Sequence, residues 1–444
     1  MMNWEKLISA KRLGMENHHS EADDDRSAFL RDYDRLIFSA PFRRLQNKTQ
    51  VFPLPGSIFV HNRLTHSLEV ACVGRSLGNR VSRFLLERHP ELSDSLVGEI
   101  GSIVSASCLA HDLGNPPFGH SGERAISSYF TEGKGQSLRD QFTQEEWDDI
   151  IHFEGNANAF RLLTHQFNGR RRGGFALTYS TLASIVKYPY SSHYASGKPK
   201  FGFFTTEADT FRTIADELGL IRLSAEGEPL RYCRHPLVFL VEAADDICYQ
   251  MMDIEDAYKL KLLTHEEAVS LLTPFIEEHK RGHLTEVLNM VTDHNEQIAY
   301  LRSKVIGILI DKCAEAFMRH EEEILAGTFS EPLIKHTDEH CRQAYKHCTE
   351  VAVKKIYRSR DVLDIELAGF RIINTLIELM TDAAMHPDNA YSRLLIDRVS
   401  SQYDLQAPTL YGKVQAVFDY ISGMTDVFAL DLYRKINGNS LPAV

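Results

Sequence analysis

The stretch Ala110-His111-Asp112-Leu113-Gly114-Asn115-Pro116-Pro117-Phe118-Gly119-His120-Ser121-Gly122-Glu123 gathers two histidines and two acids within one short segment. His111 and Asp112 stand side by side where an apolar run ends. At a helix end, two neighbouring side chains can turn toward one ion, because neither follows a regular helical surface. His120 and Glu123 come after a Gly-Asn-Pro-Pro break and are candidates for proton transfer. A His-Asp pair alone is more often structural than functional, since a metal site needs converging partners. His66 and Asp245 are the partners offered elsewhere. Two imidazoles and two carboxylates make an N2O2 set, suited to Mn, Fe, Co, Ni, Zn or Mg rather than to a soft thiolate site. Such a set leaves coordination positions open for water and substrate oxygen.

Several helices must bring these groups together. Leu64, Leu68, Ala71, Leu77, Val81, Phe84 and Leu85 form an apolar stripe ended by Pro90, with His66 in its first turns. A second helix runs through Val97, Ile100, Val104 and Cys108 to the His111-Asp112 pair. A third is expected from near Glu145 through Ile150, Phe153, Ala157, Phe160 and Leu163, carrying His152-Phe153-Glu154-Gly155-Asn156. A short helix ends at Ile185-Val186-Lys187-Tyr188-Pro189. Pro236 is expected to open a helix whose apolar face includes Leu240, Ala244, Ile247 and Met251. Asp245, Tyr249 and Asp253 lie along another side of it, at i, i+4 and i+8.

Two short β segments are expected about the Pro55-Gly56 turn, between Thr49 and Val60, and a functional loop or irregular β excursion between Tyr190 and Thr205. Beyond Thr264 the pattern is almost all helical. It includes a long amphipathic stretch over 275–325 and a helix over 361–384, with Leu363, Leu367, Phe370, Ile373 and Ile377 spaced to face inward. The fold class is therefore all-α, a helical bundle core with further C-terminal helices and minor β-hairpin excursions. Residues 1–264 form a catalytic region. Residues 265–444 form a helical region that completes the site and supplies oligomer interfaces, with one continuous domain as the alternative.

The 444 residues suffice for a large core, and 25% charged and 43% hydrophobic residues are those of a globular protein. A formal charge of -12 argues against bulk electrostatic binding to DNA or an anionic membrane, though not against a local phosphate pocket. Seven scattered cysteines without a CxxC pair indicate reduced thiols. With no signal-peptide pattern and no membrane-spanning run, the expected location is cytoplasmic. Gly169-Arg170-Arg171-Arg172-Gly173-Gly174 reads as a solvated turn, with a nucleic-acid or subunit contact as the sharper option. His336, His340, Cys341, His347 and Cys348 fit helical faces better than any zinc pattern.

His…His-Asp…Asp in a helical protein resembles the HD-domain metal-dependent phosphohydrolases. Asn62-Arg63-Leu64-Thr65-His66-Ser67-Leu68-Glu69-Val70, the 110–123 stretch, His152-Phe153-Glu154-Gly155-Asn156, Glu242-Ala243-Ala244-Asp245-Asp246-Ile247-Cys248-Tyr249 and Gly423-Met424-Thr425-Asp426 resemble the bacterial deoxyguanosine triphosphate triphosphohydrolases. The resemblance implies cleavage between the 5′ oxygen and the α-phosphorus of a dNTP, giving deoxynucleoside and tripolyphosphate. It implies that His66, His111, Asp112 and Asp245 hold a divalent metal such as Mn2+ or Mg2+. Asp245 is preferred to Asp246 because the family's tyrosine and second aspartate follow at +4 and +8, as Tyr249 and Asp253 do here. His120 then handles the leaving 5′ oxygen, with Glu123 orienting or protonating it. Arg63, Lys187, Asn156 and Tyr188 match phosphate contacts, and Gln50 and Asp253 match contacts to the sugar 3′-hydroxyl. Tyr249 matches the aromatic packed against the 2′ carbon, where a ribo 2′-hydroxyl clashes. A homohexamer is also implied, and a single-stranded DNA or dNTP effector stays open.

Two other readings compete. One is a different HD phosphohydrolase, such as a 5′-nucleotidase or an alarmone hydrolase. The other is a catalytically silent nucleotide-binding regulator. Gln50, Tyr249 and Asp253 favour the triphosphohydrolase over the first, and intact His120 and Glu123 over the second. No Walker A, GxGxxG or Ser-His-Asp pattern is present.

Overall fold

Helix follows helix in the computed structural model, which describes residues 1–16, 26–52, 60–194 and 200–439. Among these residues β structure is confined to isolated bridges, and the fold is all-α. The helices that matter for the site are α1 (Arg63–Arg88), α2 (Ile100–Ala110), α3 (Gly119–Thr131), α4 (Gln144–Ile151), α5 (Gly155–Thr164), α6 (Tyr179–Ile185), α7 (Val238–Lys259), α8 (His294–Arg319), α9 (Arg360–Met385), α10 (Leu410–Ser422) and α11 (Asp426–Ile436).

Asn62 starts α1 with a reciprocal cap. Its Oδ1 accepts from the Thr65 amide (2.9 Å), and Thr65 Oγ1 accepts from the Asn62 amide (3.1 Å). Such a cap stabilises a helix start by about 1 kcal/mol. Here it also fixes the first turn, where Arg63 and His66 sit. Helices α1, α2, α7 and α8 pack together in one large apolar core. A second core joins α3 and α4 to α9, α10 and α11. Phe418 of α10 is central to it, with its ring edge-on to Phe153 (5.2 Å between centroids) and to Phe130 (5.9 Å). The C-terminal helices thus pack directly on the N-terminal half of the chain.

The expected helix from Glu145 to Leu163 is two helices. The chain leaves α4 at His152 and begins α5 at Gly155, where the Glu154 side chain caps the new helix through the Asn156 amide (2.7 Å). Apolar periodicity continues across the break, so the break is invisible to it. The 275–325 stretch is likewise divided, into Arg281–Met290, α8 and Glu321–Ala326, with Asp293 capping α8 through the Asn295 and Glu296 amides. Pro236 lies in the turn before α7 rather than in its first turn.

The inward face of α9 also differs from expectation. Ile373 and Ile377 are buried, but Leu363, Leu367 and Phe370 are 44%, 71% and 36% exposed. Gly369 decides the orientation. It lies against the Phe118 side chain so closely that a Cβ there would stand 2.5 Å from Phe118 Cβ. Helix α9 presents this row to the Phe118 turn before α3 and leaves a second apolar row outside.

The tip of the expected hairpin, residues 53–59, and residues 195–199 of the 190–205 loop lie outside the described residues. At the hairpin's base Thr49 forms an antiparallel bridge with Asn62. Cys341 and Cys348 are buried against the helical core. No helix among the described residues is long and apolar enough to cross a membrane.

Candidate active site

Helices from distant parts of the chain meet at one cavity of about 260 Å³. Arg63 and His66 come from the first turn of α1, and His111 and Asp112 follow the end of α2. His120 and Glu123 lie on α3, and Asp245 and Tyr249 on α7. One ligand atom each from His66, His111 and Asp112 lies within 4.8 Å of the other two. Asp245 Oδ1 is 3.0 Å from His66 Nε2 and 3.4 Å from His111 Nε2.

The donor set fits a divalent cation. His111 Nδ1 pairs with the Cys108 carbonyl at 2.6 Å, so it carries the proton and leaves the Nε2 lone pair facing the cluster. Nε2 is buried and makes no hydrogen bond. Burial pulls the His111 imidazole down, but Asp112 and Asp245 outweigh it and raise the ring to about 9. Burial pushes the Asp245 carboxyl up, yet His111 and His66 hold it well below the ordinary range. The raised His111 reports the negative charge of the two carboxylates, and the lowered Asp245 the positive charge of the imidazoles; a metal would supply that positive charge in place of protons.

Around this cluster the cavity is lined by Gln50, Arg63, His120, Glu123, Asn156, Lys187, Tyr188 and Tyr249, all expected from the sequence. Arg63 Nη1 stands 2.9 Å from Asp112 Oδ2. Gly119, at φ +55°, lets the guanidinium pass, since a Cβ there would meet Arg63 Nη2 at 2.7 Å. Lys187 Nζ pairs with Glu242 Oε1 at 3.0 Å, and Tyr188 lies beneath the Lys187 ammonium, 5.8 Å from ring centroid to Nζ. Two expected residues do not line the cavity. His66 is buried with its Nε2 3.0 Å from Asp245 Oδ1, and Asp253 is buried with its Oδ2 accepting the Tyr357 hydroxyl at 2.6 Å.

Sequence reasoning missed Asn115, Glu154, Lys200, Glu242 and Tyr357. Lys200 Nζ pairs with Glu154 Oε1 at 2.7 Å and lies 3.9 Å from Glu123 Oε2. The Gly155 amide, left free by the helix break, donates to Glu123 Oε1 at 2.9 Å. Tyr357 also faces Tyr249, with the ring centroids 5.9 Å apart. Glu154 sits in a quoted motif and Lys200 in the stretch read as a functional loop. Tyr357 carried no signal, because its partners lie 104 and 108 positions away in sequence.

Comparison with known proteins accounts for this arrangement. Residues 63–155 match the HD domain, and residues 335–435 match the phosphohydrolase-associated domain. Over its whole length, the chain is 39% identical to the deoxyguanosinetriphosphate triphosphohydrolase-like protein of Pseudomonas aeruginosa (strain UCBPP-PA14), covering 100% of both chains. The chain belongs to the deoxyguanosinetriphosphate triphosphohydrolase-like family of HD-domain phosphohydrolases. A Synechocystis relative of the same description is 37% identical over 99% of this chain and 100% of that one. The deoxyguanosinetriphosphate triphosphohydrolase of Yersinia enterocolitica is 29% identical over 98% and 99%. His66, His111, Asp112, His120 and Glu123 fall inside the HD domain of this family member, and Tyr357 inside the associated domain.

Proposed function

We propose that the protein is a metal-dependent dNTP triphosphohydrolase that cleaves dGTP, and with it other dNTPs, between the 5′ oxygen and the α-phosphorus. The observation that carries this reading is one cavity lined by His111, Asp112 and Asp245, the His120–Glu123 pair, the cations Arg63, Lys187 and Lys200, and Tyr249. His66, His111, Asp112 and Asp245 would hold a divalent cation, which would supply Lewis-acid polarisation of a phosphoryl oxygen and a water of lowered pKa. Mn2+ or Mg2+ suits the N2O2 donors.

The protein groups do the rest. Arg63 and Lys187 receive the triphosphate, with Asn156 and Tyr188 completing its contacts. In the absence of substrate the two cations are held by Asp112 and Glu242, so they stay in place without folding back on the cavity. His120 protonates the leaving 5′ oxygen, and Glu123, buried and raised by that burial, returns a proton to His120. Gln50 binds the 3′-hydroxyl, and Asp253, off the cavity wall with its Oδ2 held by Tyr357, backs that side of the site. Tyr249 closes the 2′ side and excludes ribonucleotides. The chain acts as a cytoplasmic homo-oligomer, a hexamer, in which the exposed row Leu363, Leu367 and Phe370 of α9 meets a neighbouring subunit. Residues 265–444 serve as the region that completes the site.

The test is product-resolved. Purified protein with Mn2+ and dGTP is expected to release deoxyguanosine and tripolyphosphate. Release of only pyrophosphate or orthophosphate overturns the reading.

A further inference from the structure

Asp426 is buried, 5% exposed, at the start of α11 in the Gly423-Met424-Thr425-Asp426 segment. It does not cap its own helix. Thr425 does that, accepting from the Phe428 amide at 3.1 Å. The two carboxylate oxygens of Asp426 instead reach two distant segments. Oδ2 accepts from the Thr49 amide at 2.8 Å, and Oδ1 from the Phe118 amide at 3.0 Å. Thr49 precedes Gln50 on one wall of the cavity. Phe118 precedes Gly119 and His120 on the other.

Phe118 is held in the left-handed region, at φ 62° and ψ 19°, a conformation that a bulky residue keeps only when its surroundings impose it. Its side chain offers α3 no cap, so the contacts of its amide and its ring with Gly369 are what hold it. A second stitch runs beside the first. Lys48 Nζ donates to the Asn115 carbonyl at 2.6 Å and to the Ser422 carbonyl at 2.8 Å. The same two catalytic-half segments are thus joined twice to the junction between α10 and α11.

We propose that Asp426 is a positioning residue, whose single carboxylate sets the spacing of Gln50 against His120 by binding the Thr49 and Phe118 amides together. The proposal rests on the functional reading above, because the roles of Gln50 and His120 belong to it. A carboxylate is required. Asparagine has one acceptor oxygen, and its amide N–H would face the second backbone N–H, so one arm is released. A misplacement of about 1 Å in a reacting group costs on the order of 10²-fold in rate.

The experiment compares Mn2+-loaded full-length protein with its Asp426→Asn variant, with Asp431→Asn as a control. Asp431 is half exposed and pairs with Lys435 on the same helix, so its loss leaves both readouts at the wild-type level. Asp426→Asn is expected to lower kcat for dGTP on the order of 10²-fold and to raise KM, with the bound Mn2+ unchanged. Amide hydrogen exchange is read in parallel without substrate. It is expected to speed up by about tenfold at whichever arm is released, Thr49 or Phe118–His120, while α1 and α7 keep their protection. Exchange unchanged at those amides overturns the proposal, as does acceleration spread equally over α1 and α7, which is general loosening. Local acceleration with unchanged kcat and KM also overturns it. Should the wild type release no tripolyphosphate from any dNTP, the functional reading fails, and the exchange measurement alone decides the positioning role.

Discussion

Burial acts on His120 and Glu123 in opposite senses. It lowers the imidazole, helped by Lys200 and Arg63, and raises the Glu123 carboxyl against the pull of Lys200 and the Gly155 amide. An acid catalyst with a depressed pKa is poorly charged at neutral pH until something offsets the local cations. A bound triphosphate does so, because its negative charge neutralises Arg63 and Lys200. The basic limb of kcat, which reports the substrate complex, is therefore expected at higher pH than the basic limb of kcat/KM, which reports the free enzyme. Coincident limbs in a full pH–rate profile would remove His120 as the titrating acid. A second prediction concerns Tyr249, which lines the cavity beside Asp245 and is backed by Tyr357. Tyr249→Ala is expected to shrink the ratio of kcat/KM for dGTP over GTP by about tenfold. An unchanged ratio in a side-by-side assay would place the sugar gate elsewhere.

At the scale of elements, polar anchors decide how helices are entered and left. His235 sits before α7, fully buried. Its Nε2 pairs with the Leu7 carbonyl at 3.1 Å and its Nδ1 accepts from the Leu237 amide at 3.2 Å. That arrangement fits only the neutral ring, and burial lowers its pKa from 6.5 to about 4 despite the Leu7 contact. Unfolded, the ring takes a proton below 6.5; folded, it takes one only below about 4. The stability this residue contributes is thus complete above pH 6.5 and lost as pH falls toward 4, by on the order of 3 kcal/mol. Urea denaturation at pH 7 and pH 4 is expected to show a smaller acid loss in His235→Gln than in the wild type. Equal losses would mean that the folded ring titrates normally. The division between α4 and α5 is similar in kind, since the Glu154 cap and the Gly155 amide turn a helix break into part of the active site.

Across the whole molecule, the C-terminal region reaches the N-terminal region through Tyr357, Ser422 and Asp426. Its outer surface carries Leu363, Leu367 and Phe370 on α9, with Leu367 the most exposed of the three. A charge there would be harmless on a free surface and costly in a buried interface. Leu367→Glu is expected to reduce the oligomer mass measured by light scattering, while leaving the helical content unchanged. A mass equal to that of the wild type would remove this row from the interface.

The sequence by itself determined the helical class and the identity of the chemical groups. The His111-Asp112 pair and the rest of the 110–123 stretch form a local pattern, and local patterns can be read from spacing. Apolar periodicity also located α1, α2, α7 and α9. It could not choose between the two apolar rows of α9, because that choice rests on Phe118 packing against Gly369, 251 positions away. Nor could it find the gap between α4 and α5, where the apolar rhythm runs on while Glu154 redirects the backbone. Tertiary structure alone decided that Tyr357 would hold Asp253, that Lys200 would join Glu123 and Glu154, and that Asp426 would hold Thr49 and Phe118 together. Each is a pairing of groups remote in sequence. A hydrogen bond of 2.6 to 3.0 Å is specified by how helices pack, not by the composition of either segment.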